Sequence, residues 1–259
     1  MAANAYPCIL YDNRFTDGAP AATDTATGYS ALNVMDWRPF TLWKGASSGL
    51  KRISVDCAGS KSADTLAIVG HNLGTAGAYV QVETSVTGAW TGEQAVRLSS
   101  FLVSSDVCFL KTFTSASSRY WSVVVVTAAI AAQIGVICLG SRLDFPRYPS
   151  GNFDPYPETV NADSARSKVG HLLQVARQNV GVEIAWRFKN ITPAWVEASF
   201  RPAWDAHLSL GKPFIAAWDR TNHSTEAYYV AIPSGFTLSM PFDPYRRSIN
   251  LKMEGIKET

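Results

Sequence analysis

The feature that most narrows the fold is a run of twenty uncharged residues, WSVVVVTAAIAAQIGVICLG, at positions 121–140. By length alone such a run could span a bilayer as a helix. Its residue types argue for strands. Val123, Val124, Val125 and Val126 are consecutive β-branched side chains, stiff at χ1 and suited to a pleated surface. Small residues follow in TAAIAAQ, and a second β-rich run, IGVICLG, ends at Gly140. The segment therefore reads as two buried strands joined by a short connection, in a protein that inserts into no membrane. The opening residues, MAANAYPCILYDNRF, have neither the positive nor the apolar region of a secretory signal.

Short apolar runs of the same kind recur between residues 36 and 143: FTLWKG, LKRISVDC, TLAIVGHNL, AYVQVETSV, VCFLKTF and RYWSVVVV. AYVQVETSV alternates, with Val80, Val82, Thr84 and Val86 on one face and Tyr79, Gln81, Glu83 and Ser85 on the other, as a half-buried strand does. Many short strands separated by turn residues predict a jelly-roll sandwich over 36–143, preceded by an irregular leader over 1–35. Four prolines make residues 144–159 a linker. Beyond it, HLLQVARQNV and GVEIAWRFKNI predict a strand pair turning at 179–181. Thr192 and Pro193 open a helix on which Trp195, Val196, Phe200, Trp204 and Leu208 recur at helical spacing, with Pro202 kinking it and Gly211 ending it. Strands resume with PFIAAWD, AYYVAIP, GFTLSM and SINLKMEGI, so residues 160–259 read as a second β-sandwich with one flanking helix. The fold class is all-β in two domains, which suits 259 residues.

Chemistry is sparse. Lys and Arg total 23 against 21 Asp and Glu, which leaves no electrostatic footprint for nucleic acid. Charged residues are only 17%, which suggests that partners cover some apolar surface. Cys8, Cys57, Cys108 and Cys138 form no C-x-x-C pair and read as reduced, buried thiols. The four histidines lack metal-pair spacing, and no serine sits in a G-x-S-x-G elbow. His71 beside Asp64 is the one candidate base, but histidine before an Asn-Leu-Gly turn reads better as a turn hydrogen-bonder. Asp12, Asn13 and Asp17 are hard oxygen donors that miss the calcium-loop spacing. The expectation is no enzyme, no cofactor and no metal. Trp37 and Trp43 read as core. Trp90, in the glycine-rich turn TGAWTG, reads as exposed and able to stack on a sugar, with His71 as its companion.

Ala31-Leu32-Asn33 and Asp36-Trp37-Arg38-Pro39 stand ahead of Trp43. After them come Ala63-Asp64-Thr65-Leu66-Ala67-Ile68, Gly70-His71-Asn72-Leu73, and Arg119-Tyr120-Trp121 before the valine run and Gly140. These residues resemble the discoidin- or galactose-binding-like jelly roll found in structural proteins of tailed bacteriophages. The second half is similar to the tail-tube and tail-hub fold of the same particles, ending in a strand at 248–256. Together they resemble tail-tip proteins of the distal or minor tail kind. The resemblance implies a virion component made in the host cytoplasm: part of a baseplate ring that continues the tail tube. Its partners would be its own copies and the tube, tape-measure and hub proteins. A ring of this type closes by heterologous contacts, which makes Trp195, Trp204, Ile249 and Leu251 candidate assembly residues. The alternative is a carbohydrate-binding module reading a host glycan through Trp90 and His71, although the chain shows no ligand triad of the true sugar-binding modules.

Overall fold

Several of these runs merge into longer strands. In the computed structural model, which describes residues 6–151, 153–155, 158–240 and 245–256, the strands in chain order begin with β1 (Cys8–Leu10), β2 (Ala21–Ala22), β3 (Trp43–Lys44) and β4 (Gly49–His71). They continue with β5 (Tyr79–Ser85), β6 (Ala95–Leu102), β7 (Phe109–Thr127), β8 (Gln133–Gly140) and β9 (Leu143–Asp144). The last are β10 (Glu158–Arg166), β11 (Leu172–Ile191), β12 (Phe214–Ala217), β13 (Ala227–Ala231) and β14 (Arg247–Ile256). They form two antiparallel seven-stranded sheets, one ordered β3-β8-β4-β7-β5-β6 with β2 on β4, the other β10-β11-β14-β13-β12-β1-β9. With one longer helical segment at 193–210 and short 3-10 turns at Arg14–Thr16 and Ala31–Met35 among the described residues, the chain is all-β, as its sequence implies. The 121–140 run is the end of β7 plus β8, and no helix among the described residues is long and apolar enough to cross a membrane.

The first sheet closes on itself because β4 and β7 are long enough to serve both of its layers. Their register slips between Asp56 and Lys61, where Ala58 adopts φ 57°. Ile53, Val55 and Cys57 before this slip and Ala63 after it face the core; beyond a second slip, between Ala63 and Thr65, Leu66 and Ile68 face the same core. A bulge of this kind bends a strand and changes which parity points inward. Trp43 and Trp121 are fully buried there, and each indole N–H finds an oxygen: Thr25 Oγ1 at 3.1 Å and the Ser118 carbonyl at 3.0 Å.

The second sheet packs one face on the helical segment. Val182, Ile184, Trp186 and Phe188 alternate inward on β11, facing Val196, Phe200 and Leu208. Phe145 lies flat on Phe188, ring centroids 4.2 Å apart. The turn at Val196–Phe200 is π-wound just before Pro202, whose ring has no N–H to give and crowds the carbonyl four residues back. Three expectations are corrected. Residues 179–181 do not turn: β11 runs through them, and the hairpin to β10 turns at 167–170, where Gly170 supplies φ 89°. Residues 235–240 form no strand, because β13 already has β12 on one side and β14 on the other; Phe236, Leu238 and Met240 pack on the core instead. Ile249 and Leu251 are buried in this core, which leaves neither available to a neighbouring subunit.

The leader is the largest departure. Its residues 1–5, like linker residues 152, 156 and 157 and residues 257–259, lie outside the described residues, but 8–10 form β1 at the heart of the second sheet. Cys8, Ile9 and Leu10 pair with Ala217, Ala216 and Ile215. Ile9 faces the helix-side core, whereas Cys8 and Leu10 face the first sheet. There they meet Ala67 and Val69 of β4, Val136 and Cys138 of β8, and Ile215 and Ala217 of β12. Asn13 then locks the chain to β8, donating to the Ile137 carbonyl at 2.8 Å and accepting from the Leu139 amide at 3.1 Å. At Gly140 the Asp12 carbonyl approaches so closely that a Cβ would sit 1.5 Å from its oxygen. A three-residue strand has too little pattern to announce itself, and only its distant partners on β9 and β12 make it one. Leu10→Ala is expected to cost about 2–5 kcal/mol. In urea followed by near-ultraviolet dichroism, the signals of both cores should shift to lower denaturant together, since the lost side chain lies between them.

Candidate functional site

Three positive-φ residues, Gly88 (85°), Trp90 (59°) and Gly92 (75°), curl the loop between β5 and β6 into a compact knot. Its centre is the Glu93 carboxylate. One oxygen, Oε1, accepts from the Ser85 hydroxyl, the Thr87 hydroxyl at 2.8 Å, the Thr87 amide at 3.1 Å and the Ala89 amide at 3.2 Å. Those donors, the Ser85 hydroxyl foremost, hold the Glu93 carboxyl down to about 2. Gly88 lies against the Tyr120 ring, where a Cβ would come within 2.9 Å of ring carbons. The knot therefore presents Trp90, a tryptophan in a backbone region that bulky residues seldom adopt.

Trp90 is half-buried, and the Arg52 guanidinium lies 5.1 Å from its ring centroid. Arg52 donates to Glu83 Oε2 at 2.6 Å, and Gln81 donates to Glu83 Oε1 at 2.7 Å. Both arginine and glutamine come from the outward faces of β4 and β5, flanking Val124 of β7 in register. The buried Nε of Arg52 has no partner among the described residues. The same loop walls a polar cleft of about 270 Å³, lined in part by Thr84, Glu93, Arg97, Ser117 and Arg119. Arg119 is committed elsewhere: it grips Asp56 with two bonds of 2.7 Å. A larger cleft, about 480 Å³, lies among Pro39, Phe40, Tyr229, Ala231 and Ile256, with Glu254 the one charged lining residue among those described. It lacks the converging polar groups that orient a ligand.

The other sequence candidates fall in different places. His71 is buried, edge-on to Phe109, with Nδ1 accepting the Leu73 amide at 3.2 Å; it is the turn hydrogen-bonder its context suggested, and its neighbours are not those of Trp90. Asp64 lies seven residues up the same strand, about 23 Å away at the usual strand rise, and pairs with Arg142. His71 and Asp64 are therefore not brought together. The guanidinium of Arg14 sits between Asp12 and Asp17 and bonds to both. His207 is buried with Nε2 2.8 Å from the Pro213 carbonyl. Trp195 and Trp204 are half-buried and stack on either side of Phe200. All four cysteines are free and buried, and burial holds the Cys8 thiol up to about 12. The sequence singled out Trp90 but not the residues that surround it or line the adjoining cleft, Arg52, Glu93 and Arg97. The signal for Glu93 was its place just after a Gly-rich turn full of donors; Arg52 and Arg97 become visible only once strands are paired.

No family model matches this chain, and no curated protein matches it. Among solved structures it is similar to CpGH89CBM32-5 from Clostridium perfringens, in complex with GalNAc-β-1,3-galactose: 13% identity, TM-score 0.43, over 50% of this chain and 99% of that one. It is also similar to chitosan-binding module 1 from a chitosanase/glucanase of Paenibacillus sp. IK-5, at 12% identity and TM-score 0.41, over 50% and 98% of the two chains. The family 32 module of C. perfringens NanJ, in complex with galactose, gives 12% and 0.41, over 51% and 98%.

Burial pushes the His71 imidazole down to about 4 from an ordinary 6.5. Between those values the unfolded chain takes up a proton that the folded chain refuses, so stability falls as pH drops from 6.5 toward 4. The slope is about 1.4 kcal/mol per pH unit across that window. Burial lowers His207 too and adds to the slope of both proteins, so urea midpoints measured from pH 7 to pH 4 should fall more steeply in the wild type than in His71→Gln, the difference being the His71 share.

Proposed function

We propose that this protein is a non-catalytic carbohydrate-binding module whose ligand docks at the β5–β6 loop. The observation that carries the reading is Trp90: a half-exposed indole held out by a knot ordered around Glu93, beside Arg52 and Gln81 and next to a polar cleft. Sugar rings have an apolar C–H face and a rim of hydroxyls. An aromatic platform with flanking hydrogen-bond donors and acceptors fits both. The cleft supplies donors and acceptors through Arg97, Glu93 and Ser117. On a glycan array the wild type should give a defined set of positive saccharides. Trp90→Ala should weaken them at least tenfold while leaving the unfolding midpoint nearly unchanged. An empty array for the wild type sinks the reading.

Assembly into a larger particle, such as a phage tail tip, is a second reading favoured by one observation. From 158 to 179 the β10–β11 ribbon is exposed on both faces and carries Val160, Leu172, Leu173 and Val175 at 55% exposure or more. Apolar side chains on an unsupported ribbon are unusual for a chain that works alone. Sedimentation at rising concentration should show self-association that Leu173→Lys together with Val175→Lys abolishes. A monomer throughout counts against it.

A further inference from the structure

Arg97 is the one cleft cation whose charge is uncommitted. β6 runs opposite β5 with Leu98 against Val82 and Val96 against Glu83, so Arg97 is the extra residue of a bulge. Bulges re-aim side chains, and this one sends Arg97 into the polar cleft under the β5–β6 loop. Its Nε donates to Thr84 Oγ1 at 2.9 Å, which fixes the plane of the guanidinium and leaves its two terminal nitrogens free. Arg97 has no carboxylate partner among the described residues. The rest of the cleft is otherwise balanced. The neighbouring cation, Arg119, is matched bidentately by Asp56, and the Glu93 charge is spread over hydroxyl and amide donors of its own loop. Ser117 adds an exposed hydroxyl to the lining.

We infer that Arg97 is a specificity-determining residue that reads a carboxylate on the bound saccharide, so that the ligand class is an acidic sugar. A guanidinium anchored through Nε presents its two terminal N–H groups as a fork, the geometry that meets a carboxylate with two parallel bonds. A carboxylate projecting from a sugar ring is planar and rigidly placed, which suits such a fork better than a hydroxyl does. Ser117 and the open oxygen of Glu93 remain for neighbouring hydroxyls.

This inference rests on the carbohydrate reading, and the test separates the two. The full chain is applied to an array of uronic-acid, sialylated and neutral glycans, with a parallel set in which the same carboxylates are methyl-esterified. The expected result is binding to acidic glycans at least tenfold above their esters. Arg97→Gln should bring the acid down to the level of the ester, Arg97→Lys should keep part of the preference, and Trp90→Ala should weaken both forms alike. Equal binding of acid and ester, binding confined to neutral glycans, or a preference that survives Arg97→Gln overturns the inference while leaving a sugar-binding module intact. Silence on every glycan overturns both. Because Arg97 is exposed and its side chain bonds only to Thr84 among the described residues, its variants should keep the wild-type thermal midpoint, and they are compared at equal folded concentration.

Discussion

The molecule is held in one piece by a thin apolar layer that belongs to neither sheet alone. Leu10 and Ile215 from one side meet Ala67, Leu110 and Cys138 from the other, all of them fully buried. Each of these residues sits on a strand whose opposite face is committed to a different core, so these strands are buried on both sides. Polar contacts ring the layer rather than cross it. The Leu110 amide donates to the Ser224 carbonyl at 2.9 Å, Tyr229 donates to the Trp37 carbonyl, and Arg142 and Arg220 share Asp144. Dispersion and desolvation are the main attraction inside, and directional bonds set the register at the rim.

Much of this was legible from residue types. The valine run, Val80 and Val82 of β5 and the inward set Val182, Ile184, Trp186 and Phe188 lie where a two-residue period puts them, whereas Glu83 and Ser85 are buried as well and Val86 is exposed. What escaped was whatever depended on distant partners. LKRISVDC and TLAIVGHNL look like two strands because Ala58 and Gly59 interrupt them, yet the pairing with β7 resumes beyond the break. The Asn-Val-Gly at 179–181 looked like a turn, but an edge partner on each side keeps the backbone extended through Gly181. β1 is legible only from its neighbours. The site shows the same division: Trp90 stood out because its local sequence is full of turn residues, while the companions that give it a chemistry come from β4 and β6.

The β5–β6 loop shows how a small element can be rigid without a core. One carboxylate oxygen gathers four donors from its own loop, and the tyrosine ring beneath Gly88 sets its height. Because the order comes from hydrogen bonds within the loop, side chains on its surface are free to differ without disturbing the fold. Positioning and recognition are thus carried by separate residues.

The position of β1 in the middle of its sheet also has a temporal meaning. Cys8–Leu10 are synthesised about 200 residues before their partners on β12. The first sheet can close while the chain is still growing, but it must wait with Ala67, Val69, Val136 and Cys138 uncovered until β12 arrives. Such long-range closure is slow, and it leaves apolar strand surface exposed in the meantime. A nascent chain of this design therefore has its vulnerable period between the two halves of one seam, with the first sheet folded and the layer beneath β12 still open.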